Sequence, residues 1–301
     1  MTETITSKHQ ESKQDSKQLK FELIYCFKAF TSDYDTLQTI EVIKSDSNKY
    51  KSPVFLFPGF EGKLKFMEDL ARNLNRTVYC LQYPFERGPT LNELVDRLFT
   101  AIKKHIPADE RINIVAHSLG ALPVVKVVER LECENKNVRL CLIDCTPTAI
   151  REVVITSFGD MTNESQFEND YLMKFLEFMK IRNTDEYRCY LNLDSNWETK
   201  LTKILEIAPE HPSFSKTDCR IILNGFFHCL KGILQCGDNF KKLNAETTLI
   251  RSTIKVLPFP DDYETTKYFK NPVKTLFVDG HHFNIVKLQT TADLLNTELG
   301  I

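Results

Sequence analysis

The sequence is short of several features that mark common protein classes. It has nine cysteines but no Cys-x-x-Cys pair and no Cys/His spacing of the zinc-ribbon or zinc-finger kind. No metal centre is expected. A glycine-rich dinucleotide fingerprint and a phosphate-binding loop are also missing, so no cofactor is expected. There is no basic excess: 39 Lys and Arg stand against 41 Asp and Glu, a net charge of −2. That balance argues against a nucleic-acid partner. Long apolar runs are lacking too. The most apolar long stretch, Cys219–Cys236, is broken by Arg220, Asn224, His228 and Lys231, too polar for stable membrane insertion.

Residues 1–20 lack the apolar core of a signal peptide and read as a disordered polar tail. The odd, scattered cysteines suit reduced, buried thiols and a cytoplasmic chain. The sequons at Asn75 and Asn163 then carry no expectation of glycosylation. Met1 followed by a polar tail favours a free-standing protein over a fragment.

What is present is ample core material: 301 residues, 42% hydrophobic, with 21 Phe and 10 Tyr. Phe21–Phe30 and Leu37–Ile43 read as strands. Val54–Phe57 is a short continuous apolar run, the pattern of a strand buried on both faces, closed by Pro58-Gly59. A helix with Met67, Leu70, Ala71 and Leu74 on one face follows. The rhythm repeats through a strand at Val78–Leu81 and a helix opened by the Thr90/Glu93 capping box. A strand at Ile112–Ala116, a helix carrying Ala121, Val124, Val125, Val128 and Leu131, and a strand at Val138–Ile143 complete it.

Between about residues 151 and 240 the strand signals vanish. Helices are expected over Tyr171–Ile181, after Ser195 and Glu198, and over Ile221–Leu234. Strands return at Thr247–Ser252 and Val273–Val278, before a last helix bearing Ile285, Leu288, Ala292 and Leu295. The expected fold class is therefore α/β, with a mostly parallel sheet covered by helices on both faces. A core over 21–150 and 241–301 is interrupted by an all-helical lid insert over 151–240.

The chemistry gathers around Ala116-His117-Ser118-Leu119-Gly120, placed between a buried strand and a helix. This is a G-x-S-x-G nucleophile elbow with Ala in first place. Small flanking residues let a strained turn approach neighbouring backbone, and the turn aims the hydroxyl at the head of the next helix. The competing reading of Ser118 is a plain helix N-cap. A serine needs a base, and the base an orienting acid. His282, following the late strand within a few residues, is the expected base, with His281 its rival. Asp144, directly after Val138–Ile143, is the expected acid, with Asp261 and Asp262 as rivals. Backbone N–H groups of Leu119 and of Phe60, in the loop Phe57–Gly62, would form the oxyanion hole.

These pieces resemble the thioesterase domain of animal fatty acid synthases, type I acyl thioesterases of the α/β-hydrolase superfamily. The stretches that carry the resemblance are VFLFPGFEG (54–62), TVYCLQYP (77–84), INIVAHSLGA (112–121), VRLCLIDCTPT (138–148), SNWETKLTKIL (195–205) and VKTLFVDGHHFNIV (273–286). They fall in family order over about residues 36–299. The resemblance implies an α/β-hydrolase fold with Asp144 as acid, His282 as base, and Phe60 and Leu119 as oxyanion donors. His281 takes the position of the aspartate that precedes the family's histidine. It implies hydrolysis of long-chain acyl thioesters borne by acyl carrier protein or coenzyme A. The sequence departs from the family at Ala116, His117 and Leu119, and through most of the helical insert that forms the family's acyl groove. A carboxylesterase or lipase would use the same triad on oxygen esters, and a non-catalytic acyl-binding protein could keep the same fold.

Overall fold

The computed structural model describes residues 40–44, 52–83, 90–106, 111–178, 184–193, 196–208, 213–236, 240–255, 259 and 263–300. The strand expected over Phe21–Phe30, the tail and the aspartates at 261 and 262 lie outside the described residues.

Seven strands form one sheet: β1 (Ile40–Lys44), β2 (Val54–Phe57), β3 (Val78–Leu81), β4 (Ile112–His117), β5 (Val138–Ile143), β6 (Glu246–Ile254) and β7 (Lys274–His281). Their order is β1-β3-β2-β4-β5-β6-β7. All neighbours run parallel except β1, which pairs antiparallel with β3 at one edge. Of the strand expected at Leu37–Ile43, the described part is β1.

The continuous apolar runs have a direct cause. Successive side chains of a strand face opposite sides of the sheet. Phe55 and Phe57, with Ile114, Leu140 and Leu142, enter one core, where α2 (Leu91–Lys103) and α3 (Ala121–Cys133) pack. Val54, Leu56, Val115, Cys141 and Ile143 enter the other, beneath α1 (Glu68–Asn73) and α9 (Gln289–Glu298). Both faces are covered, so both sets of positions must be apolar. The Thr90/Glu93 capping box opens α2 as expected, with both reciprocal hydrogen bonds present.

Five helices lie between β5 and β6: α4 (Pro147–Phe158), α5 (Glu164–Phe178), α6 (Thr184–Asn192), α7 (Trp197–Ile207) and α8 (Lys216–Gln235). Three boundaries differ from the sequence expectation. Helix α8 begins at Lys216, ahead of the expected Ile221. The helix expected at Tyr171–Ile181 begins at Glu164, because the polar first turns of α5 carry few apolar cues. The cap of α7 is Asn196, which accepts the Thr199 N–H, while Ser195 lies outside the described residues. The five helices are cross-tied: Lys200 on α7, fully buried, pairs with Glu168 on α5 at 2.8 Å and donates to Ser165 Oγ at 2.8 Å. Trp197 stacks on Phe227 of α8, with ring centroids 3.9 Å apart, and donates its indole N–H to Asn224.

No described helix is long and apolar enough to cross a membrane. All eight cysteines among the described residues are free thiols.

Candidate active site

Three loops at the carboxyl ends of β4, β5 and β7 meet above the sheet. Ser118 immediately follows β4 and adopts φ +50°, a left-handed conformation that costs an L-residue roughly 1–3 kcal/mol. The turn is closed by glycine. A Cβ on Gly120 would lie 2.5 Å from the Pro58 carbonyl and 2.7 Å from that of Phe57, so only glycine lets the elbow settle on the loop after β2. A Cβ on Gly59 would stand 3.3 Å from Ser118 Cβ, so the loop carrying Phe60 lies directly against the serine.

Asp144 immediately follows β5, also at positive φ (+51°). Its N–H donates to the Ile250 carbonyl at 2.7 Å, which pins the turn to β6. Its carboxylate accepts from Ser252 N at 3.0 Å, Ser252 Oγ at 2.9 Å and Tyr263 Oη at 2.7 Å. His282 follows β7, which runs through His281 and so extends beyond the expected Val278. Its Nδ1 lies 3.0 Å from Asp144 Oδ2 and its Nε2 lies 2.9 Å from Ser118 Oγ. A carboxylate can only accept, so Nδ1 carries the proton and Nε2 presents a lone pair to the serine O–H. Burial pushes the Asp144 carboxyl up, but hydrogen bonds and the charge interaction with His282, with those from Ser252 and Tyr263, bring it down to about 2. It is a carboxylate throughout the neutral range.

The structure thus brings Ser118, Asp144 and His282 into one relay and places Phe60 and Leu119 beside it. His281 is directed elsewhere: its Nδ1 accepts from the Phe283 N–H, and its own N–H donates to Asn284 Oδ1 at 2.8 Å. Among the other histidines, His105 packs on Tyr79, and His228 lies on α8. His117 belongs to the site: buried beneath the elbow, its ring centroid lies 5.0 Å from that of His282.

Sequence reasoning did not single out Tyr263, Ser252 or Glu61. Tyr263 sits in a loop with no periodic pattern, and Ser252 is one polar residue near the end of a strand. Glu61 is 1% exposed, and its Oε1 accepts the Gly59 N–H at 3.0 Å, bracing the loop that carries Phe60. Burial pushes its carboxyl up to about 7, against the lowering from the N–H groups of Glu61 and Gly59. The Pro58-Gly59-x-Glu61-Gly62 spacing was the available signal, since an acid inside a tight loop has backbone N–H groups within reach.

A cavity of about 540 Å³ opens on Ser118 and His282. Most of its wall comes from α4, α5 and α8, among them the apolar Ile150, Val154, Phe175, Ile222, Phe226 and Leu230. Lys174 is the one Lys, Arg, Asp or Glu side chain in its lining. Among the described residues no cluster of His, Cys, Asp or Glu could hold a metal ion.

No protein-family model matches the sequence, and no curated protein sequence does either. Solved structures do match. The Vlm2 thioesterase domain, solved with a bound dodecadepsipeptide, aligns with 86% of this chain and 97% of its own at TM-score 0.57 and 16% identity. The type II thioesterase BorB from the borrelidin biosynthetic cluster aligns over the same shares at TM-score 0.57 and 14% identity. A four-domain nonribosomal peptide synthetase, holo-AB3403, aligns over 90% of this chain but 21% of its own, at TM-score 0.63 and 15% identity. The chain has the α/β-hydrolase fold. In that fold the positions after β4, β5 and β7 are where the three loops of this site emerge, and the helices between β5 and β6 stand over them.

Proposed function

We propose that the chain is a serine hydrolase that cleaves acyl thioesters and releases a free acid through an acyl-serine intermediate. The observation that carries the reading is the continuous relay from Asp144 through His282 to Ser118, opening into a largely apolar cavity. Ser118 Oγ, its proton passing to His282 Nε2, attacks the thioester carbonyl. The tetrahedral oxygen is received by the N–H groups of Leu119 and Phe60. His282 returns the proton to the departing thiol, then activates a water that hydrolyses the acyl-enzyme. Asp144 holds the imidazole tautomer and stabilises its cationic form.

We assign the cavity to the acyl group, with residues 151–240 as a lid over the core. Its volume falls within the roughly 300–1,000 Å³ usual for ligand pockets. Each buried methylene adds about 0.8 kcal/mol of binding, so a long alkyl chain gains most from these walls. Long-chain fatty acyl groups on acyl carrier protein or coenzyme A, in the cytoplasm, are the substrates this favours. The similarity to thioesterases of assembly-line biosynthesis supports thioester chemistry and keeps other carrier-bound acyl groups in the test.

Two measurements decide. A fluorophosphonate probe is expected to form an adduct on Ser118 in the folded protein, and no adduct would leave an acyl-binding protein without catalysis. Palmitoyl-coenzyme A is expected to turn over faster than a matched oxygen ester. Strong ester turnover beside weak thioester turnover would make the chain a carboxylesterase.

A further inference from the structure

The elbow holds a second histidine. His117 is the last residue of β4, directly before Ser118, and is 2% exposed, and its Nε2 lies 3.0 Å from the main-chain carbonyl of His282. A carbonyl oxygen only accepts, so Nε2 carries the proton and the ring donates. The opposite nitrogen, Nδ1, is buried with no hydrogen-bond partner among the described residues. It faces the loop after β2: a Cβ on Gly59 would lie 3.4 Å from it. Phe66 stacks on the ring from one side, with centroids 5.8 Å apart, and His282 lies against it at 5.0 Å.

As a core residue this side chain is a poor choice. A buried ring nitrogen without a partner costs about 1–3 kcal/mol, a cost an apolar residue of the same shape would avoid. What histidine adds is one directed donor, and that donor reaches the main chain of the residue whose ring forms the middle of the relay. The same residue adjoins the three pieces that must stay in register: it belongs to the elbow, stands beside Gly59 in the loop of Phe60, and is bonded to the His282 carbonyl.

We propose that His117 is a positioning residue, which acts through its Nε2–H···O=C bond to hold the His282 backbone so that Nε2 of His282 meets Ser118 Oγ. This rests on the serine-hydrolase reading above. The geometry also requires His117 to be neutral, since a second cation 5.0 Å from the His282 ring would oppose proton uptake from the serine. Burial, reinforced by the adjacent His282, holds the His117 imidazole down to about 3 and keeps it uncharged.

The test uses the full chain and the variants His117→Phe, which keeps a flat ring and loses the donor, and His117→Gln, which places an amide N–H near the same point. The readouts are the rate of fluorophosphonate labelling at Ser118 and the separate kcat and KM for palmitoyl-coenzyme A. His117→Phe is expected to slow labelling and kcat about ten-fold or more with KM nearly unchanged, as displacement of a reacting group does. His117→Gln is expected to recover most of the loss. Equal labelling of wild type and His117→Phe overturns the proposal, as does a loss in His117→Phe that His117→Gln fails to rescue. A wild-type chain that takes no label overturns instead the hydrolase reading beneath it. Should His117→Phe fail to fold, histidine nitrogen NMR on the wild-type protein decides. A neutral Nε2–H tautomer of His117 between about pH 5 and 8 is required, and an Nδ1–H tautomer or a doubly protonated ring in that range overturns the proposal.

Discussion

Tyr263 donates its hydroxyl to Asp144 Oδ1 at 2.7 Å, so the acid of the relay is gripped from the side opposite His282. With both Ser252 donors, that bond satisfies the carboxylate oxygens and fixes the plane in which Oδ2 meets the imidazole. Tyr263→Phe removes a hydrogen bond to a charged acceptor, a kind worth about 1.5–3 kcal/mol. The expected result is a kcat lowered about ten-fold with KM held, read by steady-state kinetics; unchanged kcat would mean that Ser252 alone orients the carboxylate.

Asp144→Asn is expected to lower turnover by orders of magnitude, about 10⁴ in the serine-protease precedent, where the wrong imidazole tautomer is the cause. Near-normal turnover would transfer the role to Asp261 or Asp262.

His282→Ala is expected to abolish both turnover and fluorophosphonate labelling, while His281→Ala leaves most of each. The two side chains are adjacent in sequence but engaged with different partners. The reverse pattern would reassign the base.

Glu61 sets a pH dependence of stability. Burial raises its folded-state pKa from 4.5 to about 7, so between those values the native chain binds more protons than the unfolded one. Stability from this group is therefore fully present below about pH 4.5 and is lost as pH rises through 7, by at most about 3 kcal/mol. Asp144 acts with the opposite sign: its depressed value, about 2, adds stability that is lost only as pH falls toward 2. Urea unfolding at about pH 5.5 and 8 is expected to show the wild type weaker at the higher pH and Glu61→Gln nearly level. An equal slope in both proteins would show that the carboxyl is not the titrating group.

Gly120→Ala places a methyl against two backbone carbonyls that cannot swing aside. Overpacking of this kind costs about 1–3 kcal/mol. Because those carbonyls belong to the loop of Phe60, kcat is expected to fall together with the urea midpoint. A variant with wild-type stability and kcat would show that the loop has room to retreat.

Much of this was legible beforehand, and the reason differs from element to element. The strands β2, β4 and β5 announce themselves because a sheet covered on both faces needs apolar residues at every position. The serine, aspartate and histidine stand directly after strands, where a periodic pattern breaks, and so a search for breaks finds them. Tyr263 and Ser252 were not visible because their partner is 119 and 108 residues away in sequence and no local rule links them. His117, inside the elbow, offers no local sign of its partner. Its bond to the His282 carbonyl spans 165 residues and exists only once β4 and β7 lie in one sheet. The start of α5 was missed for a plainer reason: the polar residues of its first turns face outward and carry no stripe.

The side chains proposed for bond-breaking hang from the ends of β4, β5 and β7, whereas most of the cavity wall is contributed by α4, α5 and α8, a single uninterrupted stretch of chain between β5 and β6. On the proposed reading, reagent and gauge are encoded in separate blocks. Exchanging the middle block for that of another protein of this architecture would re-measure which molecules fit and leave the machinery that cuts them where it is.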